Sequence, residues 1–573
     1  MSKLADIMSS PLYKELESDI EEFVKEKLEG YKPDSVGKKT IRDPVWGSIE
    51  YSEWEMQIID SPLFQRLRDI SQVGLASFTY PAARHSRFEH SLGVTAAAKK
   101  ICERITKSQG KFKLEDGDKN KICLAALLHD IGHCSHSHLS ESVFSEFQAF
   151  VVLKAMFVHA FDIKPKAHEL LSFIIINTNT FKTFFFNNVN YPEKNSMYLD
   201  LFHDVGKMII GVNIEKGSTI SSYLTSVING PFDADKLDYI KRDSLTTGLS
   251  LTYDVERLFT KILVHDIEEH GKKEYRLVVG FNGITALEEL TFCKIMLHSY
   301  IYYHQKVLTA ETMIKDYIHA LRKLKIIKDY SDLLRYTDSN IFNLAAEQRG
   351  QNPFPEFPML DLQNLADRIQ NRRLPKRCFE LSHTNVKSTE PDVNDELIGQ
   401  QLQSITDKYS KKGASFDELE KDISDLTVII TRENPVPLDF LVSEFHDLTH
   451  EKLLVKRKEF YDQLIEEYRN RDKTVNFTMF DVYIAFPKHV NFGIARDKVV
   501  LGKDTNTILA INDFVKLDDW AESFNTNKWR GYVFITEKID TSIAFMVAEK
   551  FILKGKAKII NPSAYIRGID VDE

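Results

Sequence analysis

The sequence predicts a mainly α protein: a helical core followed by a C-terminal α+β domain. Three observations predict it. From about residue 40 to residue 325 apolar residues recur at three- and four-residue spacing, the period of helices that bury one face. Beyond Leu426 the pattern changes to short β-branched and aromatic runs, which read as strands. A chain of 573 residues also exceeds one ordinary hydrophobic core, so two or three domains are expected.

Residues 1–39 are expected to form an N-terminal helical segment. Leu12-Tyr13-Lys14-Glu15-Leu16-Glu17 is charged and helix-prone, without the apolar core of a signal peptide. Gly30-Tyr31-Lys32-Pro33-Asp34-Ser35 reads as a linker. The helical core is expected over 40–330. Ile58, Leu63, Leu67 and Ile70 form one helical stripe, and Ile122, Ala125, Ala126 and Leu128 another. Asp60-Ser61-Pro62 marks a helix start with proline just inside. The clearest strand there is Glu274-Tyr275-Arg276-Leu277-Val278-Val279.

A helical or irregular extension and linker is expected over 331–425, its polar stretch 352–415 reading as either an extended loop region or a linker. The C-terminal domain, 426–573, is expected to serve as an interface or regulatory element. Its strands are predicted at 427–431, 480–486, 499–501, 507–511, 532–536 and 543–547, with helices at 440–468 and 517–524.

Hydrophobic residues at 43% and charged residues at 28% are those of a soluble globular protein. The most apolar tract, 170–176, is far short of a membrane span. A net charge of −9 argues against general nucleic-acid coating, although a local basic pocket leaves nucleic-acid binding open. Cys102, Cys123, Cys134, Cys293 and Cys378 form no CxxC pair. They read as reduced thiols, and the expected compartment is the cytoplasm.

The chemistry concentrates in Leu124-Ala125-Ala126-Leu127-Leu128-His129-Asp130-Ile131-Gly132-His133. A histidine and an aspartate at the end of an apolar run are costly to bury unless something holds them. Imidazole with carboxylate suits a divalent transition metal: Fe, Mn, Zn, Ni or Co. Two segments could complete the ligand set, His85-Ser86-Arg87-Phe88-Glu89-His90-Ser91-Leu92-Gly93 upstream and Asp233-Ala234-Asp235-Lys236-Leu237-Asp238-Tyr239 downstream. Alone, His90 reads as a core histidine and Asp235 as a helix cap. In the order His, His-Asp, Asp, with Arg87 and Lys236 beside them, they read as an open metal site able to polarise a phosphoryl group. Phe202-His203-Asp204-Val205-Gly206-Lys207 repeats the His-Asp pair without flanking ligands and reads as a chance or surface pair.

Four segments together resemble the HD-domain deoxynucleotide triphosphohydrolases, the SAM-and-HD-domain branch in particular and bacterial dGTPases more distantly. They are Ile41-Arg42-Asp43-Pro44-Val45-Trp46-Gly47-Ser48-Ile49, Phe64-Gln65-Arg66-Leu67-Arg68, Arg87-Phe88-Glu89-His90-Ser91-Leu92-Gly93-Val94 and the His129 motif. The likeness covers 41 to about 260, and the stretch before Ile41 is too short for a SAM domain. The resemblance implies a helical HD-domain core with His90, His129, Asp130 and Asp235 as metal ligands. It implies water attack on the α-phosphorus of a dNTP, releasing deoxynucleoside and triphosphate, with Mg bound alongside the triphosphate.

It also implies proton-transfer roles for His133, His138, Glu141 and His168. Glu141 stands where relatives usually carry Asp, and Cys134-Ser135-His136-Ser137 departs from the usual insert; His136 is expected to be solvent-exposed. Gln72, Tyr239, Asp243 and Tyr303 are implied for the sugar, and Arg87, Lys236 and more loosely Lys294 for phosphate. Asp60, Gln65 and Arg68 match residues that hold an activating guanine nucleotide, GTP or dGTP, between subunits, implying a homo-oligomer, dimer or tetramer. Two other readings stay open: an HD phosphohydrolase for another nucleotide or a nucleic-acid end, and a nucleotide- or nucleic-acid-sensing module with a degenerate site.

Overall fold

The computed structural model describes residues 3–34, 37–107, 112–144, 146–192, 198–269, 271–348, 353–354, 360–383, 385–388, 444–445, 448–489, 497–502 and 507–559. The fold is mainly α. The helices that shape the site and the cores are α1 (Pro11–Leu28), α2 (Arg87–Lys107), α3 (Asp116–Leu128), α4 (His138–Phe144), α5 (Ala167–Asn177), α6 (Tyr198–Ile210), α7 (Ala234–Thr247), α8 (Ile284–Leu297), α9 (Gln305–Lys323), α10 (Leu362–Gln370), α11 (His450–Asn470) and α12 (Thr541–Leu553). The strands are β1 (Lys39–Asp43), β2 (Gly47–Tyr51), β3 (Ile214–Lys216), β4 (Thr219–Ser221), β5 (Ile262–Glu269), β6 (Lys272–Gly280), β7 (Lys376–Leu381), β8 (Val386–Ser388), β9 (Val482–Ala485), β10 (Lys498–Leu501), β11 (Ile508–Ala510), β12 (Gly531–Ile535) and β13 (Ala557–Ile559).

The chain divides into two compact units, one from 1–355, 359–372 and 490–522, the other from 356–358, 373–489 and 523–573. In the first unit α2 lies at the centre, packed on α3 and α7. Its N-terminus is held by Glu89, which accepts from the Ser86 N–H at 2.5 Å and Ser86 Oγ at 3.0 Å, the reciprocal half of a capping box. Leu124, Ala125, Ala126, Leu127 and Leu128 are all fully buried, each leucine contributing about 1.5–3 kcal/mol. That burial fixes where the chain must emerge at His129. Gly93 lets α2 and α7 touch: a Cβ there would sit 1.9 Å from Asp238 Oδ1.

The first unit also holds a six-stranded sheet centred on β6, which pairs antiparallel with β5 along eight residues and parallel with β4 and β10. The hairpin β5–β6 extends well beyond the single strand expected at 274–279. Because β10 pairs with β6, and β11 with β10, this part of the expected C-terminal domain belongs to the first unit instead.

In the second unit β12 lies between β7 and β9, antiparallel to both. Helices α11 and α12 pack together, and Phe379, Phe460, Val533, Ile552 and Trp529 share one core. Three expectations need correction. Residues 543–547 are helical, within α12: Asp540 Oδ1 accepts from Ser542 N and Ile543 N, and that N-cap outweighs the β-branched composition. The stretch read as loop or linker over 352–415 contains α10, with Leu362, Leu365, Ala366 and Ile369 buried on one face, and strand β7. The helix expected at 440–468 begins at His450, capped by Thr449. The strand expected at 427–431 lies outside the described residues.

Candidate active site

Helix α3 ends at His129, and the following turn is held from two sides. Ser172 on α5 donates from Oγ to His129 O at 2.7 Å and accepts from Gly132 N at 2.9 Å. The buried Arg66 donates to Ile131 O and His133 O, at 2.7 and 2.8 Å. Gly132 is required by this close approach, since a Cβ would lie 2.4 Å from His168 O.

The turn delivers His129 and Asp130 to His90 on α2 and Asp235 on α7. His90 Nε2 lies 3.0 Å from Asp235 Oδ1 and 3.6 Å from Asp130 Oδ2; His129 Nε2 lies 3.4 Å from Asp130 Oδ1. Neither Nε2 makes a hydrogen bond among the described residues. The other ring nitrogens do: His90 Nδ1 pairs with Asp238 Oδ2 and His129 Nδ1 with Ala126 O, both at 2.8 Å. Those bonds occupy the two Nδ1 atoms and leave both Nε2 atoms turned toward carboxylates, where His90 carries a proton at neutral pH that a metal ion would displace. Ligand atoms from His90, His129 and Asp130 all lie within 4.8 Å of one another.

Electrostatics give the same picture. Burial opposes the charge on His90, yet Asp235 and Asp238 push its imidazole up to about 10. Burial likewise opposes the Asp130 carboxylate, but Arg87 first, then His129 and His133, hold it well below the usual range. Asp238 stands behind His90 and is itself held by Arg242 (2.8 and 2.9 Å) and the Trp46 indole (2.6 Å). The pocket favours a cation.

A second histidine cluster adjoins it. His133 Nε2 is 3.2 Å from Asp130 Oδ1, and the His133 ring stacks on His168 at 4.0 Å and 20°. Glu141 Oε2 accepts from His138 Nδ1 at 2.8 Å and His168 Nδ1 at 3.0 Å, while Glu141 Oε1 takes the Ala167 N–H at 2.7 Å. His133, His138 and His168 are close enough to suggest a second ion. Stacking opposes that, because imidazole lone pairs lie in the ring plane and two parallel rings cannot aim theirs at one point. Burial, then Arg87 and His168, push His133 well below the usual imidazole range, so it is neutral near pH 7. Glu141 is the reverse case. Its burial is outweighed by His168 and His138, which hold it well below the carboxylate range. The cluster is suited to moving protons.

Beyond the clusters, Asp243 on α7 is buried between His85 Nε2 (2.8 Å) and the Tyr302 hydroxyl (2.6 Å). Gln72 Oε1 and His85 Nδ1 are buried without partners among the described residues. Lys236 and Lys294 line a cavity of about 390 Å³ with Asn229, Pro231 and Ile240. Burial, reinforced by Lys236, pulls Lys294 down to about 8.

The HD domain pattern matches residues 87–182, and the HD associated region matches 253–412. The chain carries an HD domain. Asp235 lies between the two matched spans. The Deoxynucleoside triphosphate triphosphohydrolase SAMHD1 homolog of Dictyostelium discoideum is 30% identical over 391 residues, 67% of this chain and 66% of that protein. Deoxynucleoside triphosphate triphosphohydrolase SAMHD1 of Homo sapiens is 27% identical over 288 residues, 48% of this chain and 44% of that protein. The chain spans less than two thirds of either relative's length. A solved structure, a hypothetical protein from Aquifex aeolicus, superposes with a TM-score of 0.55 at 19% identity over 89% of this chain and 99% of that one, a likeness of fold.

Around this HD domain the structure brings together His90, His129, Asp130, Asp235 and Arg87, and beside them His133, His138, Glu141 and His168. Arg87 is less free than expected for a phosphate ligand: Nη1 donates to Asp130 Oδ2 at 2.7 Å and Nε to Ser137 Oγ at 3.0 Å. Lys236 Nζ is engaged by Asp233 Oδ2 at 2.6 Å and Gly230 O at 2.8 Å. Tyr239 follows Asp235 by one turn of α7. At Asp243 the contact comes from Tyr302, in the π-helical turn His298–Tyr302. Asp60, Gln65 and Arg68 lie on the segment after Ile59, where Arg68 Nε donates to Gln65 Oε1 at 2.6 Å and Asp60 faces Lys39 at 3.7 Å.

His136 is not solvent-exposed. It is 2% exposed and packs edge-on to Phe342 at 5.6 Å, because the backbone there turns inward with positive φ. Asp204 is likewise buried, paired with Lys121 on α3 at 2.9 Å, and ties α6 to α3. Sequence reasoning gave no role to Asp238, His85, Tyr302, Arg66 and Ser172, although the first two and Arg66 lie in segments it singled out. Of these Asp238 had a signal, since it sits three residues after Asp235 on the same helical face.

Proposed function

We propose that the chain is a metal-dependent HD phosphohydrolase that cleaves deoxynucleoside triphosphates to deoxynucleoside and inorganic triphosphate. The observation that carries this reading is the pair of orphaned Nε2 atoms on His90 and His129, turned toward Asp130 and Asp235 beside a carboxylate-backed histidine cluster. His90, His129, Asp130 and Asp235 would hold a divalent transition metal (Fe, Mn, Zn, Ni or Co), which supplies Lewis-acid polarisation of a phosphoryl oxygen; Mg would accompany the triphosphate.

Arg87 locks Asp130 in place, and Asp238 orients His90. Lys236 and Lys294 offer positive charge at the adjoining cavity for phosphate oxygens. In the reaction water adds to the α-phosphorus and the bond to the 5′ oxygen breaks. His138, its Nδ1–H held by the anionic Glu141 with His168 sharing the carboxylate, would give that oxygen a proton from Nε2 in its doubly protonated form, and the proton lost by the attacking water restores it. Neutral His133 stacks against His168 and limits its movement. Gln72, Tyr239 and Asp243, with Tyr303 near the His298 turn, would contact the sugar. Asp60, Gln65 and Arg68 would hold GTP or dGTP where subunits of a homo-oligomer meet, and the protein would act in the cytoplasm.

The test incubates purified protein with each dNTP and Mn²⁺ or Mg²⁺, with and without GTP, and separates the products. Deoxynucleoside plus triphosphate is expected. Deoxynucleoside monophosphate plus pyrophosphate, or no turnover by metal-loaded protein under any combination, would contradict the reading.

A further inference from the structure

We propose that Asp338 is a positioning residue of this site, a clamp on the left-handed turn His136–Ser137 that sets Arg87 and His138. This rests on the phosphohydrolase reading. His136 and Ser137 have φ of 57° and 50°. Two successive side-chain-bearing residues in that region are costly, and such a turn persists only where its surroundings over-determine it. No glycine relieves it.

Asp338 supplies the constraint from 202 residues away: Oδ1 accepts from the His136 N–H at 2.5 Å. Its Oδ2 accepts from the Ser71 N–H at 2.9 Å, and its own N–H donates to Asp69 O at 3.2 Å. One carboxylate thus ties the turn to the segment that precedes α2.

What the turn presents explains why its shape matters. Ser137 Oγ donates to Ser71 O at 2.6 Å and accepts from Arg87 Nε at 3.0 Å. Arg87 in turn holds Asp130 Oδ2 at 2.7 Å. The next residue is His138, which opens α4 and meets Glu141 at 2.8 Å. A continuous chain therefore runs from Asp338 through Ser71 and Ser137 to Arg87 and Asp130, and the same turn leads into His138. Both groups facing Asp338 are N–H donors, so a carboxylate is needed at this point. An asparagine would satisfy one amide and turn its NH₂ toward the other.

The test compares wild type, Asp338→Asn, His136→Gly and the double variant, all as the full chain, for metal content, dNTP hydrolysis and amide exchange of the 133–140 peptide. Asp338→Asn should retain metal, keep KM within about twofold and lose kcat by about ten- to a hundredfold, the scale of a small misplacement at a site. Its 133–140 amides should exchange about tenfold faster. Glycine adopts positive φ freely, so His136→Gly alone should stay near wild type and the double variant should recover to within about threefold of it.

Full activity with unchanged exchange in Asp338→Asn overturns the proposal. So does a double variant no better than Asp338→Asn, because a general folding role would not be rescued by a glycine at 136. A wild-type chain that hydrolyses no dNTP contradicts the phosphohydrolase reading instead, and the exchange comparison still tests the clamp.

Discussion

Two histidine clusters lie side by side in the HD domain and differ in where their carboxylates stand. In the first, Asp235 and Asp130 face the Nε2 atoms of His90 and His129, so ring nitrogens and negative charge converge. In the second, Glu141 stands behind His138 and His168 on their Nδ1 side, and His133 is stacked on His168. The first arrangement suits a cation, and the second suits the orientation of protons. The lesson is that counting histidines does not identify a metal site; the direction of the lone pairs does.

The comparison breaks most visibly at Asp130. Asp130→Ala removes a proposed ligand and leaves Arg87 buried without its partner, so metal should be lost and dNTP hydrolysis should fall about a thousandfold or more. Retained metal measured by elemental analysis, with retained turnover, would abolish the distinction between the clusters. Glu141→Gln should separate them in the opposite sense. It should lower kcat about a hundredfold, as loss of a general-acid partner does, while metal content stays that of wild type. Metal loss in this variant would place an ion in the second cluster.

A smaller effect is expected behind the first cluster. Asp238→Asn keeps the shape but removes the charge that Arg242, Trp46 and His90 share, and should weaken metal affinity about ten- to a hundredfold. Titration of metal-free protein reads this directly, and an unchanged affinity would remove Asp238 from the account.

The smallest effect lies outside both clusters and separates fold stability from activity in a pH profile. Burial lifts the half-buried Glu311 on α9 to about 7, with Lys315 opposing. The unfolded chain ionises this carboxyl near the ordinary glutamate value of 4.5, so the folded state binds more protons between there and about 7 and loses stability as pH rises through that window. Glu311→Gln should therefore stabilise the protein by about 1 kcal/mol at pH 8 and by nothing at pH 4. A melting-temperature gain equal at both pH values would exclude the titration as its cause.

Much of the first cluster was legible because its residues sit in contiguous motifs: His90 beside Arg87, His129 beside Asp130, Asp235 beside Lys236. The second was partly legible for the same reason, since His138 and Glu141 are three residues apart on α4. What was not legible came from far along the chain. Tyr302 reaches Asp243 from a π-helical turn, and Asp338 meets Ser71 across 267 residues. The inward turn that buries His136 depends on that same distant carboxylate. In the second unit, local composition competed with capping: residues 543–547 have strand-like side chains, and the Asp540 cap decides for helix. Strand β10 was legible as a strand but not as a partner of β6, because pairing across such a separation leaves no local mark.

The most direct test of the central claim is to count and locate metal in the purified chain, by elemental analysis and anomalous X-ray scattering. One divalent transition-metal ion per chain is predicted, held by His90, His129, Asp130 and Asp235, with none among His133, His138 and His168. An ion ligated by the second cluster, or metal-loaded protein with its ion at neither, would contradict it.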